Sequence, residues 1–397
     1  MATTRQTARR AKGEGSVFWN ADAGRWQGLI DLGYGADGKR NRKKVSAKTK
    51  VEVVKRLQEL RLQVDGGVDI QTADQTLGAY LDSWTAGLEA ARRLRPTTIQ
   101  GYKWIVARYV TPELRAVPLR KVTPQLLRGW LAGLAKLERK RPLSNRTIHL
   151  AQVVVGAALK QARRDGLIIN NPMDAVDGPG QGEALEPKSL TANQASVLLR
   201  AGGTDPLADT FIALALGCGL RRGEAIGLQW DDLFLNAHPP MLTVRRSVAA
   251  LAGKRLVQSP KTRAGRRQVI IPDFTLARLR SWHTLQLEQR LAAGPAWQGN
   301  EPDWVLTSST GTAMDPDNLS KRVVAVGKRV GMKLSPHALR HTYVTLALNA
   351  GAPIGIISKA AGHSSISITT DIYGSLQIEG QRLVADAIER SVRFTGV

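Results

Sequence analysis

Two glycine-rich stretches divide this chain of 397 residues into three segments with different patterns. One is the Gly66-Gly67 pair with the polar residues after it, and the other is the Gly-Pro-Gly-Gln-Gly run at Gly178–Gly182. Glycine and proline interrupt helices and strands, so both stretches are typical of linkers. We therefore predict linkers at 66–75 and 176–187, which separate domains over 1–65, 76–175 and 188–397.

The first segment has the pattern of three strands followed by one helix. Residues 16–20, 25–33 and 39–46 predict the strands, and Thr49 with Glu52 forms a capping box at the start of the helix. A small β-ribbon fits the major groove of DNA, so the cationic third strand is a candidate DNA-binding element. The alternative is a charged edge strand that prevents aggregation. The candidate contacts are Lys39, Arg40, Arg42, Lys43 and Lys44.

The second segment predicts helices throughout, because its apolar residues recur at helical spacing. Arg95–Thr98 and Leu143–Thr147 each begin a predicted helix. Free backbone N–H groups at helix N-termini bind phosphate, so these starts are candidate DNA-backbone contacts, with ordinary N-caps as the alternative. The candidate residues here are Thr97, Thr98, Lys103 and Arg146.

Positive charge is spread over all three segments. Lys and Arg total 57 against 33 Asp and Glu, a net charge of +24, which favours a polyanion partner and excludes a disordered acidic module. The single cysteine, Cys218, excludes an intramolecular disulfide framework and cysteine-ligated zinc or iron–sulfur sites. No apolar run reaches the roughly 18 residues that a membrane span needs, so we expect no membrane partner.

Four features of the third segment carry chemistry when taken together. They are Gly219–Glu224 after an apolar helix, Lys261 in a basic hairpin, His337–His341 after the helix-start signal Ser335-Pro336, and His363 followed by Tyr373. The β-rich patch around the hairpin, over 241–248, 255–259 and 267–272, predicts one small antiparallel sheet.

Each feature also has an ordinary interpretation. An arginine near Glu224 usually forms a structural ion pair, and Tyr373 alone would be a core or surface tyrosine. His337 and His341 lie one helical turn apart and could bind a metal, although no third ligand stands out.

As an ordered set, Arg, Lys, His-x-x-Arg, His and Tyr resemble the active site of tyrosine recombinases of the phage integrase family. The resemblance covers nearly the whole chain. It implies a multidomain, mainly α fold with small antiparallel sheets: a β-β-β-α arm-type DNA-binding domain, an all-helical SAM-like core-binding domain, and a mixed α/β (α+β) catalytic domain with a C-terminal tail helix. The implied catalytic residues are Arg221, Lys261, His337, Arg340, His363 and Tyr373, with Glu224 as the supporting acid. Ala361 and Ser375 depart from the family pattern next to these positions.

Elementary chemistry fits these implied roles. Two guanidiniums, from Arg221 and Arg340, can stabilise the negative oxygens of a phosphodiester under attack. A tyrosine hydroxyl has a pKa of about 10, so it needs a proton acceptor such as His337, and the departing 5′ oxygen needs a proton donor such as Lys261. We therefore expect no metal, ATP or other cofactor.

The implied function is a site-specific recombinase that acts through a 3′-phosphotyrosine to integrate and excise a phage or other mobile element. The implied partners are double-stranded DNA with core-type and arm-type attachment sites, further copies of the chain in a tetramer on DNA, a DNA-bending host factor and an excision directionality factor. The expected location is the bacterial host cytoplasm, at the nucleoid. An apolar stripe after Tyr373 could pack on its own domain, whereas the resemblance implies that it docks on a neighbouring protomer. A type IB topoisomerase and a non-catalytic DNA-binding or architectural protein are the alternatives.

Overall fold

The computed structural model describes residues 16–34, 40–65, 75–136, 142–180, 189–251, 253–259, 265–299 and 302–362. The chain separates into two compact units, Met1–Glu183 and Ala184–Val397, whose boundary falls within the predicted linker at 176–187. None of the helices in these described ranges is long and apolar enough to span a membrane.

The first described residues form a three-stranded antiparallel sheet with a helix against one face. Gly28 lies at the centre of that face, where an added Cβ would be 2.6 Å from Leu57 and 2.8 Å from Val53. The absence of a side chain therefore lets the helix approach the sheet closely. The elements are β1 (Ser16–Asn20), β2 (Arg25–Tyr34), β3 (Arg40–Ala47) and α1 (Lys50–Asp65), in the strand order β1-β2-β3. This order confirms the predicted β-β-β-α pattern.

The other described elements of the first unit are helices, as predicted. Their shared core closes around the apolar face of the longest helix, in which Ala151, Val155 and Ala158 are fully buried. Buried polar groups are paired across it: the Tyr80 hydroxyl donates to the Ala158 carbonyl at 3.0 Å. The helices are α2 (Leu77–Ala91), α3 (Pro96–Tyr109), α4 (Pro112–Ala116), α5 (Pro124–Lys136) and α6 (Asn145–Arg164).

The second unit is built around one buried helix, α8 (Pro206–Cys218), which the sequence predicts from the apolar run at 211–220. Phe211, Ile212 and Leu214 on it have no exposed surface, and five other described helices pack around it. Cys218 at its end is also fully buried, which fits a packing role. The helices are α7 (Ala192–Ala201), α8 (Pro206–Cys218), α9 (Arg222–Ile226), α10 (Asp273–Ala293), α11 (Pro316–Arg329), α12 (Pro336–Asn349) and α13 (Ile354–Ala361).

The described strands of this unit form two sheets, so the prediction of a single sheet over 241–272 is wrong. The strand predicted over 241–248 breaks at Arg245 and Arg246, because both side chains turn to the buried carboxylate of Asp232. Arg246 Nη1 lies 2.6 Å from Asp232 Oδ2, and Asp232 is 1 % exposed. The strands are β4 (Leu233–Phe234), β5 (Met241–Val244) and β8 (Arg267–Ile270) in the order β4-β5-β8, and β6 (Ser247–Leu251) with β7 (Lys254–Gln258) as a separate hairpin.

Gly219 ends α8 and fits tightly against α12. Its φ of +63° is left-handed, and a Cβ placed on it would lie 2.5 Å from Cδ1 of Tyr343. The position therefore requires glycine for two separate reasons, its backbone conformation and the space that Tyr343 occupies.

We predict that Gly219→Ala destabilises the protein more than Gly351→Ala, which introduces only backbone strain. Gly351 has a φ of +79°, and a Cβ added to it would have nothing within 4 Å. The left-handed conformation costs a side chain about 1–2 kcal/mol at either site, and overpacking against Tyr343 adds about 1–3 kcal/mol at Gly219. Urea unfolding of the full chain measures both, and equal losses would show that Tyr343 moves aside freely.

Candidate active site

The structure describes four of the seven predicted catalytic and supporting residues. Arg221 and Glu224 lie at the start of α9, and His337 and Arg340 lie on the first turns of α12. The remaining three, Lys261, His363 and Tyr373, lie outside the described residues.

Arg221 is fixed by the turn between α8 and α9. It is the N-cap residue of α9, and its backbone N–H donates to Glu224 Oε2 at 3.0 Å. Its guanidinium donates through Nη1 to Glu224 Oε1 at 2.7 Å and through Nη2 to the Gly362 carbonyl at 2.8 Å. The side chain is 43 % exposed, so it is held in place yet still accessible to an anion.

Its sequence neighbour Arg222 has a different role. Arg222 Nη1 donates to the Pro316 carbonyl at 3.0 Å and to the Ser320 hydroxyl at 2.6 Å, which anchors α11. Of these two adjacent arginines, Arg221 is the one directed to Glu224 and Gly362.

Glu224 is buried between two arginines. It is 3 % exposed, and its Oε2 accepts a hydrogen bond of 2.9 Å from Arg267 Nη2 in addition to the contacts with Arg221. Burial raises the pKa of Glu224, but the hydrogen bond and charge of Arg267, together with Arg221, bring its pKa below the ordinary value. The carboxylate therefore remains ionised at neutral pH.

Arg267 is a site residue that the sequence does not single out. Its side chain is 7 % exposed, and it stands at the start of β8 beside Arg266. In the sequence the pair resembles any two cations of a basic hairpin. Strand alternation from the buried Val269 is the one available signal that Arg267 points inward.

Arg340 is nearly buried and only partly paired. It is 3 % exposed, and its Nη1 donates to the Gly219 carbonyl at 2.6 Å. Its Nη2 is buried without a hydrogen-bond partner among the described residues. Burial, followed by the charge of Arg221, lowers the pKa of Arg340 to about 9, so the group is still protonated at neutral pH. A buried donor of this kind is costly unless an acceptor such as a phosphate oxygen satisfies it.

His337 faces His341 one turn along α12, with ring centroids 4.3 Å apart. Burial, followed by the positive charges of Arg340 and Arg221, lowers the pKa of His337. Burial and the charges of His337 and Arg340 lower the pKa of His341 to about 4. Both rings are therefore neutral at pH 7, the state in which an imidazole accepts a proton. Within the described ranges, no three His, Cys, Asp or Glu side chains are grouped as a metal ion would need.

Successive side chains of β3 point to opposite faces of the sheet, so the predicted DNA contacts on this strand do not all lie on one face. Gly28 and Ile30 face α1, and Lys43 pairs with Ile30, so Lys43 lies on the helix side. Arg42 and Lys44 lie on the opposite, open face and are exposed. Arg40 begins β3 and its side chain is outside the described set, as is the whole of Lys39.

Three of the four predicted contacts in the helical segment lie at helix starts. Thr97 and Thr98 lie in the first turn of α3, which begins at Pro96, and Arg146 is exposed in the first turn of α6. The Lys103 ammonium is engaged by Glu89, with Nζ 2.6 Å from Oε2.

The chain is similar to known proteins over most of its length. A model of the phage integrase family matches residues 188–379, and a model of the phage integrase N-terminal SAM-like domain matches 76–135. An integrase of Streptomyces ambofaciens is 30 % identical over 378 residues, which cover 92 % of this chain and 93 % of the relative.

Two solved structures share the fold. The Tn1549 transposon integrase in complex with a circular intermediate DNA has a TM-score of 0.63 at 20 % identity, covering 78 % of this chain and 99 % of that chain. A lambda integrase tetramer bound to a Holliday junction has a TM-score of 0.53 at 15 % identity, covering 88 % and 95 %.

We predict that the stability of the second unit falls as the pH is lowered from 7 to 5, and that His341→Gln reduces this fall. The folded pKa of His341, about 4, lies below the unfolded value of about 6.5, so the unfolded state binds more protons in this window. The stabilisation is present above pH 6.5 and is lost as the pH falls towards 4. With solvent screening, the contribution is about 1 kcal/mol at pH 5. Urea midpoints of the full chain at both pH values test this, and an unchanged pH dependence in His341→Gln would contradict it.

Proposed function

The chain belongs to the phage integrase family and is a site-specific DNA recombinase, and we propose that Arg221 and Arg340 bind the scissile phosphate in its reaction. The observation that carries this proposal is the buried Nη2 of Arg340, which lacks an acceptor among the described residues. The positive charge of Arg221 repels that of Arg340. The single carboxylate of Glu224 cannot neutralise the three positive charges of Arg221, Arg267 and Arg340. One phosphodiester supplies the missing negative charge and the missing acceptor.

The proposed reaction transfers the DNA phosphoryl group from the 5′ oxygen to the tyrosine oxygen. The Tyr373 oxygen attacks phosphorus, the bond from phosphorus to the 5′ oxygen breaks, and a 3′-phosphotyrosine forms. The neutral His337 accepts the tyrosine proton, and Lys261 donates a proton to the departing 5′ oxygen. His363 donates a hydrogen bond to the phosphate. Attack by a 5′ hydroxyl of another strand reverses these steps and rejoins DNA with exchanged partners, which integrates or excises a phage or other mobile element.

The proposed assembly contains four copies of the chain on DNA. The lambda integrase tetramer on a Holliday junction supports this stoichiometry, since it has the same fold. We further propose that the helical segment at 76–175 binds the core-type site and the basic sheet within 1–65 binds the arm-type site. A DNA-bending host factor and an excision directionality factor complete the proposed complex, in the bacterial cytoplasm where the DNA lies.

We predict that the wild-type protein forms a covalent adduct with a suicide substrate that carries the element's attachment site. Tyr373→Phe removes the nucleophile and abolishes the adduct. Tyr343→Phe is the matched control, because Tyr343 packs against Gly219 beside Arg340 and should leave the adduct intact. Denaturing gel electrophoresis of labelled DNA measures all three.

Other outcomes of this assay would favour other functions. No adduct from the wild type on a cognate site would contradict the recombinase and favour a protein that only binds DNA. Relaxation of arbitrary supercoiled DNA without sequence preference would favour a type IB topoisomerase.

We predict that Lys44→Ala weakens binding to arm-site DNA, whereas Lys55→Ala does not. Both lysines are exposed, but Lys44 is on the open face of the sheet and Lys55 is on α1, behind the sheet. Loss of one phosphate contact reduces the slope of log K against log salt by about 0.9. Titrations of the full chain at several salt concentrations test this, and equal slopes for the two variants would contradict the assignment of the open face to DNA.

A further inference from the structure

One buried guanidinium, that of Arg267, joins several parts of the candidate active site. Its Nη2 donates to Glu224 Oε2 at 2.9 Å, its Nε to the Ala360 carbonyl at 2.5 Å, and its Nη1 to the Gly265 carbonyl at 3.2 Å. A planar guanidinium presents its donors in a fixed fork, so these three acceptors, two of them distant in the sequence and one in the adjacent turn, determine its orientation.

The contact with Glu224 determines how that carboxylate meets Arg221. Arg267 holds Oε2, and this leaves Oε1 directed at Arg221 Nη1 at 2.7 Å. Without Arg267, only the backbone N–H of Arg221, at 3.0 Å, would still hold Oε2, and the carboxylate could rotate more freely about its terminal bond, which is a soft torsion. Oε1 would then be held less firmly towards the Arg221 guanidinium.

The contact with Ala360 acts on the other side of Arg221. Arg221 Nη2 donates to the Gly362 carbonyl at 2.8 Å, two residues beyond the carbonyl that Arg267 holds. The two arginines therefore hold the same end of α13. Arg267 therefore contacts Glu224 and the end of α13, the two places from which the Arg221 guanidinium takes its acceptors.

The electrostatics of the pocket lead to the same dependence. After burial, which raises the pKa of Glu224, the Arg267 hydrogen bond is the largest of the influences that lower it. A buried carboxylate that loses such a partner favours its neutral form. A neutral Glu224 would no longer pair with Arg221 as a charge.

We propose that Arg267 is a positioning residue for recombination, which aligns Arg221 with the scissile phosphate by fixing Glu224 and the end of α13. The inference rests on the proposed function, in which Arg221 neutralises the charge of that phosphate. Arg267 itself lies behind Glu224 and acts through Arg221.

The test uses the full chain and three versions of one attachment-site substrate. The first has the natural phosphodiester, the second a methylphosphonate at the scissile position, and the third a bridging 5′-sulfur. The methylphosphonate carries no negative charge and needs less help from Arg221. The 5′-sulfur leaves as a thiolate, whose conjugate acid has a pKa of about 8.5, and needs no proton donor.

Arg267→Met is expected to slow single-turnover cleavage of the natural substrate by about 100-fold, the size of effect that loss of one oriented charge-stabilising donor produces. On the methylphosphonate, Arg267→Met should cleave within about 10-fold of the rate of the wild type on the same substrate, because the charge that Arg221 must balance is gone. On the 5′-sulfur substrate, Arg267→Met should remain much slower than the wild type.

Two further variants separate positioning from folding. Arg246→Met removes another arginine paired with a buried carboxylate, at 2.6 Å from Asp232, but one that contacts neither Glu224 nor α13. For Arg246→Met, the ratio of the cleavage rate on the methylphosphonate to the rate on the natural substrate should equal the wild-type ratio. This should hold even if Arg246→Met lowers the melting temperature as much as Arg267→Met does. Arg267→Lys keeps the charge but not the fork, so its rate on the natural substrate should lie between those of Arg267→Met and the wild type.

Three outcomes would overturn the proposal. Recovery on the 5′-sulfur substrate alone would assign Arg267 to protonation of the leaving group, through Gly265. An equal loss on all three substrates would assign it to folding, and an unchanged rate would leave it no role in cleavage. A wild type that cleaves none of the substrates would instead reject the proposed function, so the two failures are distinguishable.

Discussion

The candidate site depends on the pairing of one ionised carboxylate, that of Glu224, with two arginines. The carboxylate is buried, and a buried charge is tolerated only when partners and hydrogen bonds replace the water it has lost. Two arginines supply these partners, Arg267 from the buried side and Arg221 from the accessible side. The start of α9 and the start of β8 therefore meet at this carboxylate, and its two arginines also hold the end of α13.

The same pocket contains more positive than negative charge. Arg221, Arg267 and Arg340 act on one another and on Glu224, and the lowered pKa of Arg340 reflects this repulsion after its burial. A folded protein keeps such an excess at a cost in stability, which a bound anion relieves. A recombinase gains from this arrangement because the donors are already oriented when the phosphate arrives.

Much of the fold follows from local sequence signals, whereas side-chain direction does not. The capping serine at Ser335, the apolar run of α8 and the helical spacing in α6 each predicted an element that the structure contains. Arg267 was missed because its role depends on contacts with Glu224 and Ala360, which are 43 and 93 residues away in the chain. The broken strand at Arg246 has the same origin, since Asp232 lies on another element. Lys43 shows that a run of cations does not define a surface until the pleat of the strand is known.

Gly219 has a consequence for how inactive variants are interpreted. It has no side chain, yet its carbonyl accepts a hydrogen bond from Arg340. Its backbone also ends α8 just before Arg221, and its Cα lies against Tyr343. A mutational scan scored on recombination would rank this glycine with the residues that touch DNA. Loss of activity along this loop therefore maps the framework that carries the arginines as well as the arginines themselves, and only a separate measurement of protein abundance distinguishes the two.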